Sequence, residues 1–261
     1  MPGSGSLADA QVALADVVGP RDLDPGARPA TVDRQSCPME EIRANSVLPA
    51  DRKPVSLLTA DGLRLVGELA TPVGQPPLAT IVCVHPLPTA GGMMDSHLFR
   101  KAAWRLPALA GIAVLRFNTR GTHSPAGTSD GEFSDAVAEG LDLSAAVERV
   151  SQEGLPLPWL VGWSFGTDVI LKHPEVQPVA GAVLISPPTR YSSEAEIAQW
   201  GRCGLPTTAL IPELDDFLRP AAAAERFAVA PNVALLPVGG AGHLWVGEAN
   251  VRIVLNEIVR V

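Results

Sequence analysis

Basic charge is scarce in this sequence. Lys and Arg total 20 against 28 acidic residues, a net charge of −8. Nucleic acid and anionic membranes both reward a basic surface, so neither partner is expected. Arginine supplies 17 of the 20 basic residues and is scattered along the chain, as solvated faces and local ion pairs require. Cysteine is scarcer still. Cys37, Cys83 and Cys203 are odd in number, far apart and free of any CxxC pair, which excludes a disulfide framework and a structural zinc site. Cys83 lies inside an apolar run and reads as a small core residue. Long apolar stretches are also missing. The nearest, residues 106–115, is about half of the ~20 residues a membrane span needs. The start Met1-Pro2-Gly3-Ser4 carries no basic segment ahead of an apolar one, so no secretory signal is expected and a reducing, cytoplasmic setting is the default. No G-x-x-x-x-G-K-[ST] occurs and no G-x-G-x-x-G follows a strand, which argues against nucleotide chemistry.

What is present is a globular composition: 46% hydrophobic and 18% charged over 261 residues, enough for one large α/β domain. Residues 1–45 are rich in Gly, Pro, Asp and Ala without sustained periodicity and read as a poorly ordered leader, with one short helix possible over 8–18. Residues 46–261 read as the folded domain. Two strands over 54–59 and 63–70 are joined by Asp61-Gly62, a hairpin signal. Six short apolar runs follow, at 79–84, 112–117, 158–161, 180–185, 207–211 and 233–237. Between them lie helical stretches at 98–109, 133–153, 164–172, 194–200, 221–228 and 248–259. Continuous apolar strands alternating with amphipathic helices imply a mostly parallel, doubly wound sheet covered on both faces. The segment 187–205 spans 19 residues, room for a small cap or none.

The strongest chemical signal is Gly162-Trp163-Ser164-Phe165-Gly166, between an apolar run and a helical stretch. Small residues on both sides allow a tight strand-to-helix turn that exposes a strained serine beside a helix N-terminus. A serine nucleophile needs a base, and the base needs an orienting acid. The run at 207–211 ends in Pro212-Glu213-Leu214-Asp215-Asp216, and carboxylates at a strand's carboxyl end sit on the rim where open α/β sheets bind ligands. Asp215 is preferred over Asp216 as the acid. His243 follows the last apolar run on Gly239-Gly240-Ala241-Gly242, and among the five histidines it alone comes after the acid. His173 reads as part of a surface turn. Spacings of 51 and 28 positions separate Ser164, Asp215 and His243, each enough for one or two strand–helix steps.

Two further loops matter. His85-Pro86-Leu87 follows the run 79–84, where a second oxyanion donor is expected. Pro86 has no N–H, so the Leu87 amide is the candidate, with the Phe165 amide as its partner from the elbow. His85 reads as a group that orders this loop, and Gly91-Gly92 as a turn or as a flat wall beside the substrate. Arg116 reads as an inward charge paired with a carboxylate and Arg120-Gly121 as a turn, with Asp130, Glu132 and Asp135 as nearby partners; ion-pair scaffolding is preferred over substrate binding for this stretch.

Taken together, His85-Pro86 with Gly91-Gly92, Arg116-Phe117-Asn118 with Arg120-Gly121, the serine motif, the Asp215 segment and Gly242-His243 resemble small, nearly capless bacterial α/β-hydrolase-fold proteins. These are related to dienelactone-hydrolase-like and prolyl-oligopeptidase-like serine esterases. The resemblance covers about residues 50–260 and leaves the leader aside. It implies an α/β-hydrolase fold with an N-terminal antiparallel hairpin and little or no cap. It also implies a catalytic Ser164, Asp215 and His243 acting on a small ester or acyl substrate without metal or organic cofactor. Two departures, Thr122-His123-Ser124-Pro125 and the prolines Pro174 and Pro178, bear on the shape of the pocket. A non-catalytic scaffold of the same fold is the rival expectation, and a homodimer through the last helix and Trp245 is a further one.

Overall fold

The computed structural model describes residues 42–260. The helix expected over 8–18, most of the leader and Cys37 lie outside the described residues.

The hairpin is formed by β1 (Asp51–Leu58) and β2 (Arg64–Thr71), paired from Asp51↔Thr71 to Leu58↔Arg64. Pro54 is tolerated because β1 is the sheet's edge strand. Then come β3 (Ala79–Val84), α1 (His97–Ala110) and β4 (Ile112–Phe117). A two-residue ribbon, β5 (His123–Ser124) with β6 (Gly127–Thr128), precedes α2 (Glu139–Gln152), β7 (Pro158–Trp163) and α3 (Phe165–Lys172). The chain continues through β8 (Gly181–Ile185), α4 (Glu194–Arg202), β9 (Thr207–Pro212), α5 (Pro220–Arg226), β10 (Val233–Val238) and α6 (Glu248–Val259).

Eight strands make one sheet in the order β1-β2-β4-β3-β7-β8-β9-β10. Only β2 runs against the others. Every residue of β4 and β8 is buried, as strands covered on both faces must be. On one face, α1 and α6 pack against Ile81, Val114 and Val183. On the other, α2, α3, α4 and α5 pack against Val82, Leu115 and Leu184. Adjacent residues of one strand feed opposite cores, which is the pleat at work. The chain leaves β3 for β4 on one side and returns as β7 on the other. This reversal of strand order opens a crevice between the carboxyl ends of β3 and β7.

One helix differs from expectation. α2 starts at Glu139, six residues later than its apolar spacing suggested, because Asp135 and Ala136 turn left-handed at φ 51° and 65°. The Glu139 carboxylate accepts the Ser134 amide at 2.7 Å and closes that turn. The segment expected to be short, between β8 and β9, holds only the nine-residue α4, started by a Ser193/Glu196 capping box, and no cap domain.

Candidate active site

Ser164 occupies the turn between β7 and α3 at φ 53° and ψ −120°, a positive-φ conformation that non-glycine residues avoid. The flanking glycines make the turn possible. A Cβ at Gly166 would lie 1.9 Å from the Val84 carbonyl oxygen, and one at Gly162 would lie 2.7 Å from the Gly166 backbone. The Ser164 amide is held by the Ile185 carbonyl at 2.9 Å, so the elbow is anchored to β8.

Asp215 follows β9, and His243 follows β10. These parallel neighbours are cross-linked beyond their ends: Glu213 and Leu214 donate backbone N–H groups to Val238 and Ala241, each at 2.9 Å. The Glu213 carboxylate accepts the Gly240 amide at 2.8 Å. The acid and histidine loops are therefore fixed against one another. His243 Nδ1 lies 2.9 Å from Asp215 Oδ2, and His243 Nε2 lies 2.8 Å from Ser164 Oγ. The three sequence-predicted residues are brought together in one hydrogen-bonded row. Asp215 is buried, whereas Asp216 is exposed and takes no part.

Burial opposes charge on Asp215. Hydrogen bonds from His243 and from the Phe217 and Leu218 amides outweigh that burial, and the carboxyl is held below its ordinary value. The His243 carbonyl is itself clamped. It accepts Trp163 Nε1–H at 3.1 Å and the Ser186 hydroxyl at 3.3 Å, while Ser186 Oγ accepts Trp245 Nε1–H at 2.8 Å. Trp245 is wholly buried in this role, so core packing rather than a subunit contact accounts for it. Phe217 covers the imidazole with ring centroids 4.6 Å apart.

His85 is fully buried, with Nδ1 2.7 Å from the Pro86 carbonyl and Nε2 accepting the Thr119 amide at 3.0 Å. That pairing fits a neutral ring protonated on Nδ1. Burial pushes its pKa down to about 4, against a smaller opposing effect of the Pro86 bond. The ring ties the loop after β3 to the end of β4, as the sequence suggested. Gly92 also proves to be a close-packing position, since a Cβ there would lie 2.1 Å from the Pro86 carbonyl oxygen. Leu87 and Phe165 line the same cleft as Ser164, and neither amide donates to a backbone acceptor among the described turns and loops.

One sequence reading needs correction. Arg116 and Arg120 are ion-paired, but not with Asp130, Glu132 or Asp135. Arg116 bonds Glu68 at 2.8 Å and also Asp95, while Arg120 bonds Asp142 at 2.8 Å and Asp61 at 3.0 Å. These partners arrive from the hairpin, the α1 approach and α2, which proximity along the chain cannot reveal. His173 stands at the turn after α3, as its sequence context suggested: it is half-buried and its carbonyl accepts the Val176 amide at 3.1 Å. Its Nε2 lies 2.7 Å from the Ala136 carbonyl, and it packs so closely on α2 that a Cβ at Gly140 would touch the ring.

A cleft of about 210 Å³ opens over Ser164 and His243. Leu87, Ala90, Gly92, Trp163 and Phe165 line one part, and Pro188, Arg190, Tyr191, Phe217 and Leu244 the other. Arg190, Tyr191, Phe217 and the Ser186 clamp were missed in the sequence. They sit on loops with no motif of their own, and the one available signal was their place after strand ends. Among the described residues no cluster of His, Cys, Asp or Glu can hold a metal ion, and no helix is long and apolar enough to cross a membrane.

Solved structures share this architecture. A serine hydrolase homologue from Coxiella burnetii superposes with a TM-score of 0.67 at 23% identity, covering 80% of this chain and 96% of that one. The chain has the α/β-hydrolase fold. A serine hydrolase without a lid from Xanthomonas campestris gives 0.66 at 24% identity over 83% and 97% of the two chains. An esterase from Pyrococcus furiosus gives 0.66 at 19% identity over 81% and 93%. No family model matches the sequence, and no curated protein matches it.

Proposed function

We propose that the protein is a serine hydrolase that cleaves carboxylic ester bonds, with thioesters as the neighbouring substrate class. The observation that carries this reading is the row Ser164 Oγ, His243 Nε2, His243 Nδ1 and Asp215 Oδ2, with contacts of 2.8 and 2.9 Å, on a strained elbow that faces a cleft. Ser164 Oγ attacks the carbonyl carbon while His243 Nε2 takes the hydroxyl proton, and the carbonyl electrons move onto oxygen. The Leu87 and Phe165 amides serve as the donors that stabilise the charge on that oxygen. Collapse of the intermediate breaks the ester bond, and His243 returns the proton to the departing alcohol. A water molecule then repeats the sequence on the acyl-enzyme and frees the acid. Asp215 stays ionised throughout and stabilises the imidazolium. The names borne by the structural relatives, serine hydrolase and esterase, agree with this chemistry. The short β8–β9 connection leaves the cleft uncapped, which suits small esters.

A fluorophosphonate probe tests the reading. Wild type labels at Ser164, and Ser164→Ala does not label and loses roughly three to six orders of magnitude in turnover. A folded wild-type protein that neither labels nor hydrolyses any ester of a broad panel sinks the reading in favour of a scaffold.

A further inference from the structure

The cleft has one permanently charged wall residue. Among the described residues that line it, Arg190 alone carries a full charge, in a chain whose net charge is −8. Its guanidinium meets no carboxylate among the described residues; its recorded contact is the Tyr191 ring, 5.4 Å from the centroid. Tyr191 in turn packs edge-on against Phe165, at 5.4 Å between centroids, and Phe165 directly follows Ser164. A stacked line thus runs from the serine elbow to an unpaired cation.

The backbone beneath that cation is fixed. Thr189 holds a left-handed φ of 48°, which turns the chain over the cleft. Next to Arg190 and Tyr191, Ser192 gives both its amide (3.1 Å) and its hydroxyl (2.6 Å) to Asp168 Oδ1, a fully buried carboxylate on α3. Lys172, also on α3, donates to the Tyr191 carbonyl at 3.0 Å, and Arg226 donates to the Ser192 carbonyl at 2.9 Å. The helix that carries the serine at its start therefore also carries the segment that presents Arg190. A buried acid spent on tying down an exposed loop is a costly arrangement unless the loop's position matters.

Resting on the reading of Ser164 as the nucleophile, we propose that Arg190 is a specificity-determining residue that selects esters bearing a free carboxylate. A guanidinium offers a planar fork of donors that matches a carboxylate in geometry and charge. The cleft of about 210 Å³ holds Ser164 and Arg190 in one lining, so a short substrate occupies both. A small molecule held with its carbonyl at Ser164 keeps any carboxylate near the one cation in the wall. The rest of the lining is apolar and fits a short hydrocarbon link between the two groups.

Two matched ester pairs test this. Monoethyl glutarate against ethyl glutaramate places the charge on the acyl side, and butanoyloxyacetate against butanoyloxyacetamide places it on the alcohol side. In at least one pair, wild type favours the anion over its carboxamide by roughly three- to tenfold in kcat/KM, relative to the same ratio in Arg190→Gln. Arg190→Lys retains part of the preference, and Arg190→Glu turns it against the anion. Added NaCl, from about 20 to about 500 mM, shrinks it as the exposed charge is screened. Hydrolysis of both pairs with ratios unchanged by Arg190→Gln overturns the inference and leaves the hydrolase reading standing. Failure to hydrolyse any of the four esters, together with no labelling of Ser164, overturns both.

Discussion

The two rims of the cleft are built in opposite ways. Behind the rim formed by the loop after β3, polar side chains of that loop and the loop after β4 are buried and mutually bonded. Asn118 accepts the Met94 amide and donates to Ser124, His85 joins Pro86 to Thr119, and Arg120 bonds Asp142 and Asp61. On the rim from the loops after β9 and β10, large apolar side chains stand in solvent. Leu214, Phe217, Leu244 and Val246 are between 54% and 75% exposed, and of these Phe217 and Leu244 line the cleft. The first rim supplies the candidate oxyanion amide, whose value depends on being fixed before the substrate arrives. The second offers an apolar surface that a substrate can cover. The backbone of both rims is fixed, but only the second leaves large apolar side chains in solvent where contact with a ligand can be gained.

The sharpest way to break this contrast is to unlock the first rim. Asp142 is wholly buried and takes three hydrogen bonds from Arg120: its amide and Nη2–H, each at 2.8 Å, and its Nε–H at 3.0 Å. Arg120→Met leaves a buried carboxylate without its counter-ion and is expected to cost about 3–5 kcal/mol in urea unfolding. The double variant Arg120→Met with Asp142→Leu removes the orphaned charge and recovers more than half of that loss. A single variant within about 1 kcal/mol of wild type would show that the lattice is not what holds this rim.

The same contrast explains what the sequence disclosed. Elements whose signal is local were legible: the mostly apolar runs of β3 and β4 keep their expected ends, and the elbow declares itself because Gly162 and Gly166 are sterically required. The grouping of Ser164, Asp215 and His243 followed from strand-end positions and chain order. The partners of Arg116 and Arg120 were not legible, since Glu68 and Asp142 lie 48 and 22 positions away and meet them only through the sheet and α2. The late start of α2 was hidden for a related reason. Two left-handed residues that are not glycine, Asp135 and Ala136, are held by tertiary packing and by the Glu139 bond. Arg190 left no trace in the sequence because an exposed arginine on a loop looks like any other.

A second prediction concerns protons on the locked rim. His85, with its pKa pushed down to about 4, stays neutral in the fold, whereas an unfolded histidine titrates near 6.5. Between those values the unfolded chain binds more protons, so stability falls as pH is lowered from about 6.5 towards 4 and is fully present above that window. Between pH 7 and pH 5 this one group accounts for a loss of about 2 kcal/mol. Urea unfolding at the two pH values checks it, with His85→Gln as the reference. The wild type loses about 2 kcal/mol more than the variant, and equal losses would mean that His85 accepts a proton in the native state.

The smallest effect belongs to the open rim. Phe217 is 58% exposed and packs at a 54° tilt with its centroid 4.6 Å from that of the His243 ring, while Asp215 takes the Phe217 amide at 2.7 Å whatever side chain position 217 carries. Phe217→Ala should therefore leave unfolding free energy within about 0.5 kcal/mol of wild type, as exposed positions do. It removes apolar contact over the cleft, which is felt equally by bound substrate and transition state. KM for a neutral ester is expected to rise roughly threefold with kcat changed less than about twofold. A fall in kcat with KM unchanged would instead mean that the ring holds His243 in line with Ser164. Phe217 would then belong with the locked rim, and the division between the two rims would not coincide with the division between positioning and contact.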